Sequence, residues 1–242
     1  MLIERQNVDE RAVALEQELG DFSYIVSHDL MATFRHVKGF LGLLARDLDP
    51  TLTDRQRDFV ARIDGAADAC QTMLDELRVY SRVQQQPLAL ADCDGARLFE
   101  AARLQLAQAQ DADVEIRVGA LGAVRADHRL LVDALRRVLD NAVKFRRPDA
   151  PVRVEVERAA DETDWVVRVT DNGIGVDPGL REKVFQMFYR ARRDTPGQGA
   201  GLTICRRIFR RHGGDVRLVD CDQGACVELR LPLTGGGGAG AA

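Results

Sequence analysis

Apolar residues near the N-terminus recur at helical spacing. The earliest of them alternate four- and three-residue steps, as the core positions of a coiled coil do: Val8, Ala12, Leu15, Leu19, Phe22 and Val26. The stripe continues through Leu30, Phe34, Val37, Leu41, Leu44 and Leu48. Two successive four-residue steps between Val26 and Phe34 interrupt the heptad, which is typical of a stutter. His28 falls between these apolar positions, so we expect its ring to face solvent.

A second amphipathic helix is predicted after a short break. Asp49-Pro50 is expected to end the first helix, and Thr53 with Gln56 is typical of a capping box at the start of the next. The apolar positions of this second helix are Phe59, Ile63, Ala67, Cys70, Leu74 and Leu77. Two long helices with a short connection predict an antiparallel hairpin. One hairpin has little core, so we expect a two-fold dimer that forms a four-helix bundle; a hairpin packed on the rest of the chain is the alternative.

The pattern changes after residues 84–87, which we interpret as a linker. Strands are predicted where apolar and polar residues alternate, at 114–118, 152–156, 165–169, 215–219 and 225–231. Helices are predicted at 95–108, 128–145 and 202–211. This order predicts an α/β sandwich, in which helices cover one face of a mixed sheet. The glycine- and alanine-rich tail at 233–242 cannot bury a core and is predicted to be disordered.

Composition narrows the classes of function. The 242 residues include 34 Lys and Arg against 38 Asp and Glu, a net charge of −4, so nothing favours a nucleic-acid partner. The five cysteines form no Cys-x-x-Cys pair, which argues against a zinc or redox site, and their odd number suits a reducing cytoplasm. No apolar run approaches the roughly 20 residues that span a bilayer, and no signal peptide is visible. We therefore expect a cytoplasmic chain, with any sensory part across a membrane outside it.

Three segments of the second half carry residues suited to a nucleotide: 140–145 at a helix end, 171–175 after a strand, and 197–202 at a helix start. Glycines let backbone amides approach phosphate oxygens, and a helix N-terminus favours anions. The Asn141 amide oxygen suits a magnesium ion that bridges phosphates, and the Asp171 carboxylate can accept a hydrogen bond from an adenine amino group. Each segment alone is also common in turns and loops, but the three in this order predict a nucleotide site.

These segments resemble the N, G1 and G2 boxes of the ATPase fold shared by histidine kinases, gyrase, the Hsp90 chaperones and the MutL repair proteins. Residues 184–190 resemble the F box of the kinases. The resemblance covers 87–232 and implies an ATP-binding catalytic domain. It implies that Asn141 holds Mg2+, that Asp171 recognises adenine, and that other site residues shape the pocket or approach the phosphates of ATP: Lys144, Gly173, Gly175, Arg190, Gly197, Gly199, Gly201 and Leu202. It also implies a mobile ATP lid from about 177 to 200.

Residues 22–30 resemble the H box of sensor kinases, most closely the phytochrome-like ones. A lone exposed histidine on a helix is usually an ordinary surface residue, but here it lies in Ser-His-Asp-Leu upstream of a matching ATP domain. The resemblance implies that His28 accepts a phosphoryl group from ATP, with Asp29 bonded to its other ring nitrogen. It implies that 1–20 ends a signalling coiled-coil helix whose sensory module is absent from this chain. Residues 21–84 would form the dimerisation and histidine phosphotransfer domain, which passes the group to an aspartate of a response-regulator receiver domain.

Three positions depart from the family pattern. Thr33 stands where a proline is usual, so we expect the helix to keep its backbone hydrogen bond and to kink less. Ala32 stands where Thr or Asn often orients water for phosphatase activity, and we therefore expect weak phosphatase activity. Arg137 replaces a second Asn one turn before Asn141; it could contact a phosphate or weaken metal binding.

Two other classes of function are weighed against an active kinase. One is a catalytically degenerate kinase that acts as a dimeric phosphotransfer or scaffold protein; the retained Asn141, Lys144 and Asp171 argue against it. The other is an ATP-hydrolysing machine of the gyrase or chaperone type; the presence of His28 argues against that. The leading prediction is thus an ATP:protein-histidine phosphotransferase.

Overall fold

The computed structural model describes residues 29–106, 114–192 and 197–233. The chain divides into two compact units, Met1–Gln86 and Pro87–Ala242. The predicted signalling helix, the phosphoacceptor His28 and all but the first residue of the predicted tail lie outside the described residues. In the part of the chain that is described, no helix combines the length and hydropathy needed to cross a membrane.

The described residues of the first unit contain two α-helices. Residues 29–48 form α1, a 3-10 turn follows at Asp49–Thr51, and α2 spans Asp54–Gln85. The predicted capping box is confirmed: the Thr53 hydroxyl accepts from the Gln56 N–H, and Gln56 Oε1 accepts from the Thr53 N–H at 2.8 Å. Because α2 continues to Gln85, the linker predicted at 84–87 is shorter than expected.

Contacts between the two helices show that they run antiparallel, as predicted. Lys38 of α1 forms ion pairs with Asp64, at 3.5 Å, and with Asp68. Arg78, farther along α2, donates to the sulfur of Met31, which is earlier on α1. A later residue of one helix thus meets an earlier residue of the other, which defines a helical hairpin.

The second unit is an α/β sandwich, which confirms the predicted class. In chain order its elements are β1 Leu90–Asp94, α3 Gly95–Leu104, β2 Val114–Val118, β3 Ala123–Asp127, α4 His128–Lys144, β4 Val152–Ala159, β5 Asp164–Asp171, α5 Gly201–Arg211, β6 Asp215–Val219 and β7 Cys226–Pro232. Five strands form a mixed sheet in the order β2-β4-β5-β7-β6, with β2 parallel to β4 and the other pairs antiparallel. β1 and β3 form a separate antiparallel pair.

Most predicted elements match those observed, with two differences. α3 ends at Leu104, so the prediction of a helix to 108 was too long. The β1–β3 pair was not predicted, because β3 is short and carries two alanines and two charged residues, which gives little strand signal. The remaining strands and helices are confirmed to within a few residues.

The core lies on one face of the large sheet, under α4 and α5. Val156, Val169 and Val227 pair in register across three strands and are all buried, and β4 alternates buried with exposed positions. Trp165 is fully buried, and its indole N–H donates to the Leu121 carbonyl at 2.9 Å. Strand alternation carries this buried face to the end of β5, where Asp171 follows two residues after Val169. The sheet therefore delivers a carboxylate to the side of the sheet that carries the helices.

Candidate nucleotide site

The site is built at one end of the α4–α5 helix pair. Asp127, which caps the start of α4, donates its N–H to Nε2 of His212, the residue that ends α5, at 3.0 Å. At the opposite end, a Cβ on Gly201 would lie 3.8 Å from Oδ1 of Asn141. The two helices therefore run antiparallel, and the C-terminal turn of α4 lies beside the N-terminus of α5.

The loop after β5 is fastened to the end of α4. The Ile174 N–H donates to the Phe145 carbonyl, and Nε of Arg147 donates to the Gly173 carbonyl, both at 3.0 Å. A Cβ on Gly173 would lie 2.5 Å from the Phe145 oxygen, so only glycine allows this approach. The predicted N and G1 segments are therefore in direct contact, although Phe145 and Ile174 are 29 residues apart in the sequence.

The Asp171 carboxylate is held in a fixed position with one oxygen engaged. Its Oδ1 accepts from the Gly173 N–H at 2.8 Å and from the Ala225 N–H at 3.1 Å. Within the described ranges, Oδ2 has no hydrogen bond and so keeps its capacity to accept one. Burial raises the pKa of Asp171 above its ordinary 3.8, and the two N–H groups offset only part of that rise. The neighbouring Asn172 instead bonds the Pro151 carbonyl and the Arg153 N–H, which ties the loop to β4.

The β6–β7 turn forms a wall of this pocket that the sequence did not predict. Gly224 has φ 65°, and a Cβ there would lie 1.8 Å from the Asp171 carbonyl oxygen. Gly175 has φ 74°, and its Cβ would lie 2.7 Å from the Gly224 oxygen. These glycines let two loops and the end of β5 meet at backbone distance. The Gly224 turn could be recognised in the sequence, but its contact with Asp171 depends on how β5 and β7 pair.

Two groups suited to binding phosphate, the Lys144 ammonium and the N-terminus of α5, lie near the end of α4. Lys144 pairs with Asp140 one turn earlier on α4, at 2.5 Å. A Cβ on Gly197 would lie 3.7 Å from Nζ of Lys144, so the G2 segment passes close to this cation. Gly201 opens α5, an 11-residue helix whose first N–H groups are available to an anion. Leu202, the next residue, is half-buried.

Residues 188–189 and Gly199 form the neck of the segment between the F box and the G2 box. The Phe188 N–H donates to the Gly199 carbonyl at 2.9 Å. Phe188 has φ 63°, the only positive φ outside glycine among the described residues. Arg190 follows the neck and is exposed, so its approach to phosphates stays a prediction. Residues 193–196 lie outside the described residues.

Arg137 of α4 is buried, and its Nε donates to Oδ2 of Asp133 at 2.9 Å. Asp133 lies one turn before Arg137, whereas Asn141 lies one turn after it. This bond joins Arg137 to the preceding turn of α4. A phosphate contact and a weakened metal site both stay predictions for Arg137.

The donor set fits an adenine nucleotide with magnesium. A half-buried carboxylate with one free oxygen suits an exocyclic amino group, and a lysine with a helix N-terminus suits phosphates. Among residues 29–106, 114–192 and 197–233, no three His, Cys, Asp or Glu side chains are grouped as a protein-only metal site requires. A magnesium ion would then take most ligands from phosphate and water, which fits a single amide oxygen from Asn141.

One predicted site residue, Asp29, belongs to the first unit. It is exposed and begins the described part of α1. Thr33 lies one turn later, and its hydroxyl donates to the Asp29 carbonyl at 3.1 Å. Residues 29–48 are helical without interruption, as expected where threonine replaces proline.

Comparisons with known proteins agree with this geometry. Residues 126–235 match the family described as histidine kinase-, DNA gyrase B-, and HSP90-like ATPase. The phytochrome-like protein Cph1 of Synechocystis sp. is 31% identical over 235 residues, which cover 96% of this chain and 30% of Cph1. The chain spans less than a third of Cph1 and of two other curated relatives, 30%, 29% and 25% of their lengths.

Solved structures share the fold. Full-length ShkA in complex with AMPPNP is 25% identical, with a TM-score of 0.61 over 91% of this chain and 47% of ShkA. The histidine kinase ThkA in complex with the response regulator TrrA is 19% identical, with a TM-score of 0.64 over 95% of this chain and 66% of that one, and shows the fold alone. The chain belongs to the sensor histidine kinase family, and residues 126–235 match the ATPase domain that this family shares with DNA gyrase B and HSP90.

Proposed function

We propose that the chain is the catalytic core of a two-component histidine kinase, which transfers the γ-phosphoryl group of ATP to His28 and then to an aspartate of a response-regulator receiver domain. The observation that carries the proposal is the Asp171 carboxylate, which is fixed through Oδ1 and open at Oδ2 beside the α4–α5 end. The similarity to Cph1 over 96% of the chain and the Ser-His-Asp-Leu sequence around His28 support the histidine as acceptor.

The second unit would bind the nucleotide. Asp171 would accept a hydrogen bond from the adenine amino group, and Gly173 and Gly175 would shape that pocket. Lys144 would pair with the phosphates, which requires it to leave or share Asp140. The N-terminus of α5, with the G2 residues before it, would receive phosphate oxygens: Gly197, Gly199, Gly201 and Leu202. Asn141 would hold Mg2+, which would supply positive charge to neutralise the phosphates.

The first unit would supply the acceptor. One ring nitrogen of His28 would attack the γ-phosphorus while the bond from that phosphorus to the oxygen of ADP breaks. Asp29 would hold the other ring nitrogen in the protonated tautomer and draw off its proton as the new bond forms. Arg190 would approach the phosphates from the segment after the neck.

Homodimerisation is part of the proposal. Large apolar side chains on both helices of the hairpin are more than 40% exposed in the single chain, among them Val37, Phe40, Leu44, Phe59 and Ile63. A second copy packed against this face would bury them in a four-helix bundle. Analytical ultracentrifugation of the chain tests this: a dimer is expected, and a monomer at micromolar concentration would contradict it.

We propose that phosphatase activity toward the phosphorylated regulator is weak. Ala32 cannot orient a water molecule, and the Thr33 hydroxyl is engaged with the Asp29 carbonyl. Dephosphorylation of the regulator with this protein and ADP should therefore be little faster than without them. A strong acceleration would contradict this part of the proposal.

The proposal includes a cytoplasmic location and the partners that the family implies. All five cysteines are free, which supports a reducing cytoplasm. An upstream sensory module would act through residues 1–20, the predicted signalling segment. A nucleic-acid partner is not expected for a chain of net charge −4.

Incubation with γ-labelled ATP tests the function against its alternatives. A kinase gives acid-labile, alkali-stable label on the protein, which is lost in His28→Ala while nucleotide binding persists. The second candidate is a degenerate kinase, because Arg137 replaces the usual Asn. Such a protein binds no nucleotide. An ATP-hydrolysing machine releases phosphate and leaves the protein unlabelled.

A further inference from the structure

The residues that hold the neck in place include an arginine outside all the predicted boxes. We propose that Arg206 of α5 is a positioning residue, which holds residues 182–185 against the helix and so sets where Arg190 meets the phosphates of the bound nucleotide. This inference deepens the proposed function and rests on it. Arg206 lies five residues, or about one and a half turns, beyond Gly201, where α5 begins.

Three side chains converge on the Arg206 guanidinium. Nε and Nη2 donate to the two carboxylate oxygens of Asp215 at 2.8 and 3.2 Å, and Nη1 donates to Oε2 of Glu182 at 2.9 Å. The guanidinium carbon lies 4.6 Å from the centroid of the Phe185 ring, and the arginine side chain is only 14% exposed. A planar fork that is bound on several sides has little freedom, so it can fix Glu182 and Phe185 relative to α5.

Asp215 holds the arginine from the sheet. It opens β6, so the guanidinium is anchored to a strand of the large sheet as well as to its own helix. Burial acts to raise the pKa of Asp215, but the hydrogen bonds from Arg206 and Arg210 outweigh it and lower that pKa to about 2. The anchor therefore stays ionised across the physiological pH range.

Residues 182–185 lead directly into the neck. Phe188 follows three residues after Phe185, and its N–H is bonded to the Gly199 carbonyl. Its φ of 63° is unfavourable for a phenylalanine and requires support from the surroundings. The Gly199 side of the neck is joined to α5 directly by the chain, because Gly201 begins that helix. The Phe188 side is joined to the same helix through the contacts of Arg206 with Glu182 and Phe185, so α5 fixes both sides.

The adenine pocket has a different support. The N–H groups of Gly173 and Ala225 hold the Asp171 carboxylate, and among the described residues neither is hydrogen-bonded to Arg206. Removal of the Arg206 side chain should therefore shift the neck and Arg190 while leaving adenine recognition in place. The variant should therefore lose affinity for AMPPNP, which has a γ-phosphate, more than for ADP, which has none.

Arg210 provides a matched control. It also donates to Asp215, at 3.1 Å, but its side chain is 57% exposed, and among the described residues its ion pair is with Asp215 and not with Glu182. We expect Arg206→Ala to lower the affinity for AMPPNP with Mg2+ about tenfold and that for ADP less than about threefold, measured by calorimetry. Arg206→Lys should recover part of the loss, and Arg210→Ala should change both affinities less than about twofold.

Two results would overturn the inference: an AMPPNP affinity in Arg206→Ala equal to that in Arg210→Ala, or equal losses for AMPPNP and ADP. If Arg206→Ala fails to fold, Glu182→Gln serves instead, since this side chain is 77% exposed and its change leaves the Asp215 pair intact. It should lower AMPPNP affinity about threefold with ADP unchanged, and no change would overturn the inference. A chain that binds AMPPNP but never labels His28 would end the kinase proposal and leave this comparison of affinities valid.

Discussion

The two ends of the α4–α5 pair use similar groups in opposite ways. At the Asp127 end, both carboxylate oxygens are bonded to backbone N–H groups, those of Ala89, Arg129 and Leu130. His212 closes this end: its Nε2 accepts from the Asp127 N–H, so Nδ1 carries the proton and donates to the Ile208 carbonyl at 2.8 Å. At the other end, Asp171 keeps Oδ2 free of hydrogen bonds within the described residues.

This difference separates what holds the helices together from what binds a ligand. A buried polar group with all its partners supplied stabilises the fold and offers nothing to a ligand. A half-buried carboxylate with an unused oxygen, such as Asp171, can instead accept a hydrogen bond from a ligand. We therefore expect changes at the Asp127–His212 end to alter stability alone, and changes near Asp171 to alter nucleotide affinity.

The largest expected effect is the loss of affinity in Asp171→Asn. The amide oxygen can still accept from Gly173 and Ala225, but the NH2 group would then face the adenine amino group. We expect ADP affinity to fall at least about a hundredfold, measured by calorimetry. The adjacent Asn172→Ala should instead lower stability, because Asn172 bonds β4 and not the pocket. A loss of less than threefold in Asp171→Asn would contradict the assignment.

A smaller loss is expected in Gly224→Ala, which tests the β6–β7 turn as a wall of the pocket. The new Cβ would lie 1.8 Å from the Asp171 carbonyl oxygen, at a residue with φ 65°, so the turn must move and the Ala225 N–H with it. We expect about a tenfold loss of ADP affinity, together with lower stability. Gly65→Ala on α2 is the control, since nothing lies within 4 Å of its Cβ, and it should raise stability by about 0.5–1 kcal/mol.

At the closed end, His212→Leu should change stability without changing affinity. The substitution leaves the Asp127 N–H without its acceptor in a buried position. We expect the free energy of unfolding to fall by about 1–3 kcal/mol, measured by denaturant titration, with ADP affinity within about twofold of the original. His128→Leu, on an exposed residue at the start of α4, should change stability by less than about 0.5 kcal/mol. A tenfold loss of affinity in His212→Leu would break the contrast between the two ends.

The smallest expected effect is a pH dependence of stability from the same histidine. Burial lowers the pKa of His212 below its ordinary 6.5, although Asp127 acts to raise it and Arg211 to lower it further. The unfolded chain therefore takes up a proton at a higher pH than the folded chain does. The stability that the neutral ring contributes is full above pH 6.5 and is lost as the pH falls below it. Unfolding titrations should show this slope, and His212→Leu should reduce it.

The parts that the sequence predicted are those carried by local patterns. The 17 residues of α4 alternate apolar and polar positions at helical spacing, so its bounds were predicted to within a residue. The box residues were recognised because their spacing along the chain is short. β3 was missed because alanines and charged residues give little strand signal.

The parts that were not predicted depend on long-range pairing. The Ala225–Asp171 bond joins residues 54 apart and exists because Thr170 pairs with Cys226 in the β5–β7 register. The bond from Arg206 to Glu182 likewise spans 24 residues and follows from the packing of the turn on α5. Neither register nor packing of this kind is specified by periodicity alone.

The most direct test of the central claim is the phosphorylation of His28 by the nucleotide bound near Asp171. Purified chain should be incubated with γ-labelled ATP and Mg2+, and acid-labile label on the protein should be measured in His28→Ala and in His36→Ala, which changes an exposed histidine of α1. We predict label in the original chain and in His36→Ala, and none in His28→Ala or Asp171→Asn. Label that persists in His28→Ala, or that is lost equally in His36→Ala, would contradict the account.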